Sequence, residues 1–407
     1  MKALLLAATI TAASATAAAP SPARPEATAQ ARAAAQKPKP TVAQLAMQGL
    51  ERLLRDSLQP GPKPAPAPTA QQRAAMKTVF GSEKPVRVQN LPKSGTSTVQ
   101  RLTLPAHQYS ANGTTVRWGT ASVLATRSAD GRQLDSEGRV PLVTMRGAGG
   151  SMELKEGITK SAQRRAGDGL WIGTMVGNAE SLVFNGPKGP AAHLARPRFV
   201  ATTTERGDRI DQRIEMDADR LTVAGEDIDA LHLAYQLNGL DRAMLRRMAE
   251  QGAGDPEQVI KQLKELALSG AELKIDDLSG RYKGHTASIQ GSIALPGVTA
   301  EDLETPQRAL ARLAMHFEVT VPLGLLREVA AVIAARNQGN KDGQAPTAEQ
   351  VYEGMVGKAV SNGYARVEGE AMRSTIEWRD GGLVVNGKPV ALPGPRKGAA
   401  PAAAGAQ

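Results

Sequence analysis

The densest run of groups that could move protons is Asp208, Asp211, Glu215, Asp217, Asp219, Glu226, Asp227 and Asp229. A pair of carboxyl groups about 5–10 Å apart across a cleft could hydrolyse a glycan, one as acid and the other as base or nucleophile. These acids, however, are interleaved with Arg206, Arg209, Arg213 and Arg220. In Arg209 to Asp217, Ile210, Gln212, Ile214 and Met216 fall in one phase of a two-residue period, and Asp211, Arg213, Glu215 and Asp217 in the other. That is the pattern of a half-wet antiparallel strand with a charged outer face, which cross-strand ion pairs would satisfy. Asp217-Ala218-Asp219 and Asp227-Ile228-Asp229 lack the glycine and the terminal glutamate of a calcium loop.

Other chemistry has less to build on. The five histidines, His107, His193, His232, His285 and His316, are too far apart in sequence to form a helical ligand pair. There is no cysteine, which excludes disulfides, thiolate metal sites, a cysteine nucleophile and a lipidated N-terminal cysteine. No G-x-S-x-G elbow occurs, and no S-x-x-K falls at a strand-to-helix junction. Gly147-Ala148-Gly149-Gly150 has no following Lys-Ser/Thr and reads as a β-turn, not a phosphate cradle. The sequence therefore nominates no catalytic, cofactor-binding or metal residue, and the expectation is a protein that is not an enzyme.

The elements that carry these residues are legible from periodicity. Leu231, Leu233, Tyr235 and Leu237 alternate as in a strand, Asn238-Gly239 reads as a turn, and Asp241 can cap a helix carrying Ala243, Met244, Leu245 and Met248. A comparable unit recurs where Leu313, Met315, Phe317, Val319 and Val321 alternate and Pro322 opens a helix through about Arg336. Further strands are expected at Val116–Trp118, Ala121–Ala125, Leu142–Val143, Leu170–Val176, Ser181–Phe184, Phe199–Thr203, Leu273–Ile275 and Ala287–Leu295. Helices are expected at Pro256–Ser269, Glu301–Ala311 and Ala348–Val360, with a polar loop from Asn337 to Pro346. A closing hairpin joins Thr375–Trp378 to Leu383–Val385, and Asn386-Gly387 turns once more. The expected fold is α+β: an extended, curved, mainly antiparallel sheet with helices packed on one side.

The N-terminus has its own grammar. Met1-Lys2, the apolar run Ala3–Ala13 and the A-x-A sequences Ala13-Ser14-Ala15 and Ala15-Thr16-Ala17 read as a signal peptide over residues 1–17. The run is short of the roughly 20 apolar residues that a spanning helix needs, and an uncleaved inner-membrane anchor facing the periplasm is the alternative. Residues 18–73 read as a disordered leader holding one amphipathic helix (42–58) and the proline-rich linker Gln59–Pro68. Helix 42–58 is either a peripheral membrane contact or a helix docked on the body behind it. The body spans 74–393 and a disordered tail 394–407. The net charge of +10 comes from Lys and Arg scattered along the chain, aromatics make up only 3%, and export together argues against nucleic acid as a partner.

Four stretches resemble the YdgA-like family of bacterial envelope proteins, a domain-of-unknown-function family. They are Val183-Phe184-Asn185-Gly186-Pro187, Tyr235 to Leu245 (YQLNGLDRAML), Val321-Pro322-Leu323-Gly324-Leu325-Leu326 and Gly381 to Pro389. The family usually has His where Asn185 stands and begins with a membrane-anchoring segment. The resemblance implies an exported envelope protein of α+β build and brings no catalytic residue with it. Physically, Asn185-Gly186-Pro187 and Asn386-Gly387 read as turns. The expectation is a periplasmic scaffold or binding protein whose partner is an envelope lipid or protein. A lipid- or amphiphile-binding groove at the inner membrane and an envelope glycan hydrolase are the alternatives. Ligand and oligomeric state are not legible.

Overall fold

A computed structural model describes residues 40–58, 66–187, 189–251, 256–337, 346–379 and 381–390. Residues 1–17, read as a signal peptide, the stretch up to residue 39 read as a leader, most of the proline-rich linker, loop residues 338–345 and residues 394–407 lie outside the described residues. Among the described residues there are twenty strands and seven α-helices, and every ladder described is antiparallel. The α+β class and the antiparallel sheet expected from the sequence are present. The chain divides into two compact units, Met1–Leu233 and Ala234–Gln407. No linker composition marks that division, because it falls inside the strand Glu226–Asp241.

The first unit opens with helices α1 (Val42–Leu58) and α2 (Ala70–Phe80). Thr69 and Gln72 form a reciprocal capping box that starts α2, and Gly81 ends it in the left-handed region. Strands follow as β1 (Arg87–Ser94), β2 (Ser97–Leu104), β3 (His107–Ala111), β4 (Thr114–Trp118), β5 (Ala121–Arg127), β6 (Gln133–Gly147) and β7 (Gly150–Arg165). Then come β8 (Trp171–Asn178), β9 (Ser181–Gly186), β10 (Gly189–Ala195), β11 (Arg198–Arg206), β12 (Arg209–Val223) and β13 (Glu226–Asp241).

Their registers reveal long strands that the chain interrupts midway. β2 with β3, β4 with β5, β8 with β9, and β10 with β11 are each two halves of one run, matching β6, β7 and β12, which each continue as one strand across the same width. From Leu104↔Ala121 to His107↔Trp118 both partners advance three residues, and so do both from Asn178↔Arg198 to Ser181↔Ala195. Pairing therefore stays in phase across the interruption. The interruptions fall in one row: Pro105-Ala106, Gly119-Thr120, Pro141, Glu156, Ala179-Glu180 and Arg196-Pro197. Proline gives no ladder donor, and Glu156 and Arg196 take positive φ (48° and 47°), so the row is written into the chain.

The core of this unit lies where α1 and α2 cover the first strands. Ala46, Leu50 and Leu54 pack with Ala75, Met76, Val79, Leu102, Trp118, Val123 and Leu134. Gly49 lets the helices close up, since a Cβ there would sit 3.0 Å from the Met76 sulfur. The apolar stripe of helix 42–58, read as either a membrane contact or a helix docked on the body behind it, faces protein. Its isolation between linkers in sequence concealed the two-helix hairpin it makes with α2.

The second unit carries α3 (Arg242–Gln251), α4 (Pro256–Leu268), β14 (Glu272–Tyr282), β15 (His285–Ala294), α5 (Pro306–Arg312), β16 (Ala314–Pro322), α6 (Leu323–Asn337) and α7 (Ala348–Ser361). It closes with β17 (Arg366–Glu368), β18 (Ala371–Arg379), β19 (Gly382–Val385) and β20 (Lys388–Val390). β14, β15, β16, β18, β19 and β20 pair in that order, and β17 joins one end of β18. Leu326, Ala330 and Tyr352 bind α6 to α7, with Val321 and Met372 of the sheet beneath. The Asp241 cap is made, its Oδ1 accepting the Met244 N–H at 2.7 Å.

Three local expectations change. Asn238-Gly239 is no turn: β13 runs through it, with Gly239 at φ 74°. Pro322 ends β16 and does not open α6, and the Leu323 N–H bonds to the Glu370 carbonyl. Asn185 is inside β9, opposite Ser151 and Pro190.

Candidate functional site

The carboxylates singled out in the sequence sit on β12, β13 and the turns beside them, and arginines from the same or neighbouring strands and turns hold them. Arg206 Nε lies 2.7 Å from Asp211, Arg213 Nε 2.8 Å from Glu215, and Arg198 Nη1 3.2 Å from Asp217. Arg196 pairs with Asp219. Arg220 bridges Asp229 at 2.9 Å and Asp227 at 3.4 Å, and the hydrogen bond it donates to Asp229 holds its guanidinium above its ordinary value. Asp211, Glu215, Asp217, Asp219, Asp227 and Asp229 therefore each have a cationic partner, and their side chains are 24–49% exposed. This is a cross-strand ionic face, in which each exposed pair contributes only about 0.2–1 kcal/mol. The converging pair required by a glycan hydrolase is not what these contacts build.

The histidines are dispersed. His107 lies 5.5 Å from the Trp118 ring, which Phe80 meets edge-on at 5.6 Å. His193 stands opposite Val183 and Thr222 in β10. His232 Nδ1 is 2.7 Å from the Asp217 carboxylate that Arg198 also holds. His285 rests against the start of α6, where a Cβ on Gly324 would overlap its ring. His316 lies between Glu318 (3.4 Å) and Glu377 (3.5 Å). Among the described residues no group of three His, Cys, Asp or Glu side chains is placed to hold a metal ion.

Away from these residues the sheet carries an open depression that the sequence did not announce. On the half of the first unit built by β6, β7, β8 and β11, a shallow cavity of ≈ 620 Å³ is lined by Asp135, Gln163, Arg164, Thr174, Thr202 and Glu205, among others. Register explains the convergence: Asp135, Ala162, Thr174 and Thr202 stand opposite one another on successive strands. Thr174 and Thr202 hydroxyls are 3.3 Å apart, and Arg164 pairs with Glu205. Hydroxyls, amides and one ion pair on an open sheet can hydrogen-bond a polar ligand. Sequence reasoning missed the cavity because β7, one of its walls, is too polar to register as a strand. The run Thr202-Thr203-Thr204 in a β-forming segment was the available signal.

Asn386 does more than turn the chain. It takes φ 50° before Gly387 at 77°, the geometry of a two-residue hairpin turn. Its Oδ1 accepts the Thr375 N–H and its Nδ2 donates to the Gly363 carbonyl, both at 2.9 Å. That side chain ties the end of α7 to the closing hairpin.

Residues 64–393 match the family described as bacterial protein of unknown function (DUF945). No curated protein and no solved structure matches the chain.

Proposed function

The chain belongs to the DUF945 family of bacterial proteins, and from that premise we propose an exported cell-envelope protein that works in the periplasm by binding, without catalysis. Export is supported by the charged start, short apolar run and A-x-A sites at residues 1–17. The YdgA-like motifs at Val183–Pro187, Tyr235–Leu245, Val321–Leu326 and Gly381–Pro389 favour the same address. Among the described residues no helix is long and apolar enough to cross a membrane.

The observation that carries a binding role is the surface of the first unit. All six residues of β9 are neither buried nor exposed, and Phe199, Val200 and Ala201 of β11 are the same. A sheet that leaves apolar and polar side chains half-covered presents a large contact surface. Cell fractionation with a C-terminal tag and N-terminal sequencing test the proposal. A periplasmic chain starting at Thr16 or Ala18 is expected, and an intact chain in the cytosol overturns it. A pellet retaining Met1 would make the protein anchored.

The half-covered Leu182 and Phe184, which share one face of β9, favour a second reading, an amphiphile-binding groove at the inner membrane. Organic extraction and mass spectrometry of the purified protein check it, and lipid-free protein refutes it.

A further inference from the structure

Helix α4 turns an apolar stripe to solvent. Ile260 is 56% exposed, Leu263 59% and Leu268 43%. Ile260 and Leu263 are neighbours at a step of three, and Leu268, two turns beyond Ile260, lies about 80° round the helix from it. An amphipathic helix normally buries such a stripe, as α1 does with Ala46, Leu50 and Leu54. On α4 Lys261 borders the stripe and Lys264 stands within it, between Ile260 and Leu268, both exposed, while Glu265 is drawn aside by Arg247 of α3 at 3.1 Å.

We propose that this face of α4 seats in the headgroup–acyl boundary of an anionic bilayer. Ile260, Leu263 and Leu268 would enter the apolar layer, and the lysine stems would run along the stripe with their ammonium groups on lipid phosphates. Charge selects the occupant. An apolar groove on a protein would strip water from both ammoniums with nothing to replace it, whereas an anionic surface supplies counter-charge at the depth those side chains reach. The net charge of +10 draws the whole chain toward the same surface. The inference deepens the envelope reading and rests on it for access to a bilayer, moving the contact from helix 42–58 to α4.

The test is flotation of the purified full chain with phosphatidylglycerol vesicles and, in parallel, with phosphatidylcholine vesicles. Binding to the anionic vesicles that weakens with salt is expected. Lys261→Gln with Lys264→Gln should weaken it about 30-fold, at about 1 kcal/mol per basic residue near the surface. Ile260→Asp with Leu263→Asp should abolish it, while circular dichroism and oligomeric state stay as in the wild type. Wild-type protein that stays at the bottom of the gradient, or an aspartate variant that floats equally well, overturns the proposal. Lost self-association in the aspartate variant, with no vesicle binding by wild type, reassigns the face to a protein interface and also overturns it. A cytosolic chain that floats refutes export alone, and a periplasmic chain that does not float refutes the α4 contact alone.

Discussion

Asn386 offers a sharp test of how the second unit is held together. Replacing it with glycine keeps the positive φ but removes the bonds to the Thr375 N–H and the Gly363 carbonyl, each 2.9 Å and part-buried. At about 1 kcal/mol per bond, Asn386→Gly should cost about 2 kcal/mol. Asn386→Ala loses the same bonds and must also hold a Cβ at φ 50°, adding about 1 kcal/mol for a total of about 3. Asn386→Asp keeps the acceptor for Thr375 but places carboxylate oxygen against the Gly363 carbonyl, so it should be no better than glycine. Urea unfolding followed by hydrogen exchange in peptides spanning 363–390 measures the costs and locates them. Loss of protection should centre on Thr375 and the end of α7. Equal midpoints for the alanine and glycine variants would refute the backbone part of the argument. An alanine variant as stable as wild type would refute the whole of it.

Three further outcomes are expected. Met76→Ala opens a cavity at a fully covered position between α1 and α2 and should cost about 2–5 kcal/mol, read as a lower midpoint in calorimetry. Gly150→Ala should cost about 3 kcal/mol, because φ is 130° there and the added Cβ would overlap the Asn185 carbonyl oxygen; Gly149→Ala, which meets nothing within 4 Å, should be nearly silent in the same melt. The Thr299 backbone N–H, its hydroxyl and nearby Arg312 hold the Asp302 carboxyl below the ordinary carboxylate range. Its contribution is therefore complete above the unfolded value near 3.9 and is lost as pH falls through the lowered native value, so Asp302→Asn should flatten that acid limb in a pH series of melts.

The sequence made some of this fold plain and hid the rest for physical reasons. The alternation of Ile210, Gln212, Ile214 and Met216 reported β12 faithfully, because a strand with one charged face has to alternate. Asn386-Gly387 named its turn because few other pairs take two successive positive φ values cheaply. By contrast Ser151–Arg165 is rich in Lys, Glu, Arg and Gln on both phases, and β7 forms because strands on either side supply ladder partners, not because it carries an apolar face. Asn238-Gly239 carried the same letters as a turn, yet long-range pairing extended β13 through it. The ionic face around Asp217 and Arg220 was legible as interleaved charge. The threonine-lined cavity was not, since its walls come from four segments that only the register brings together. Nor did the pattern of α4 disclose that its apolar residues face outward, because periodicity defines a stripe and not what covers it.

The row of interruptions crossing the first unit has a consequence for how such a sheet can be built at all. Strand twist accumulates with length, and paired runs of fifteen or sixteen residues such as β6 and β7 would wind tightly if unbroken. The row is a joint where ladder pairing lapses, while the unshifted register and the continuous β6, β7 and β12 keep the two halves a single fabric. Width across the strands is then free to grow by adding hairpins sideways. Along the strands it is not: one extra residue between the joint and a hairpin tip would turn every side chain beyond it to the opposite face. Insertions should thus be tolerated at tips such as Ala148-Gly149 and Gly207-Asp208, and rejected between those tips and the joint.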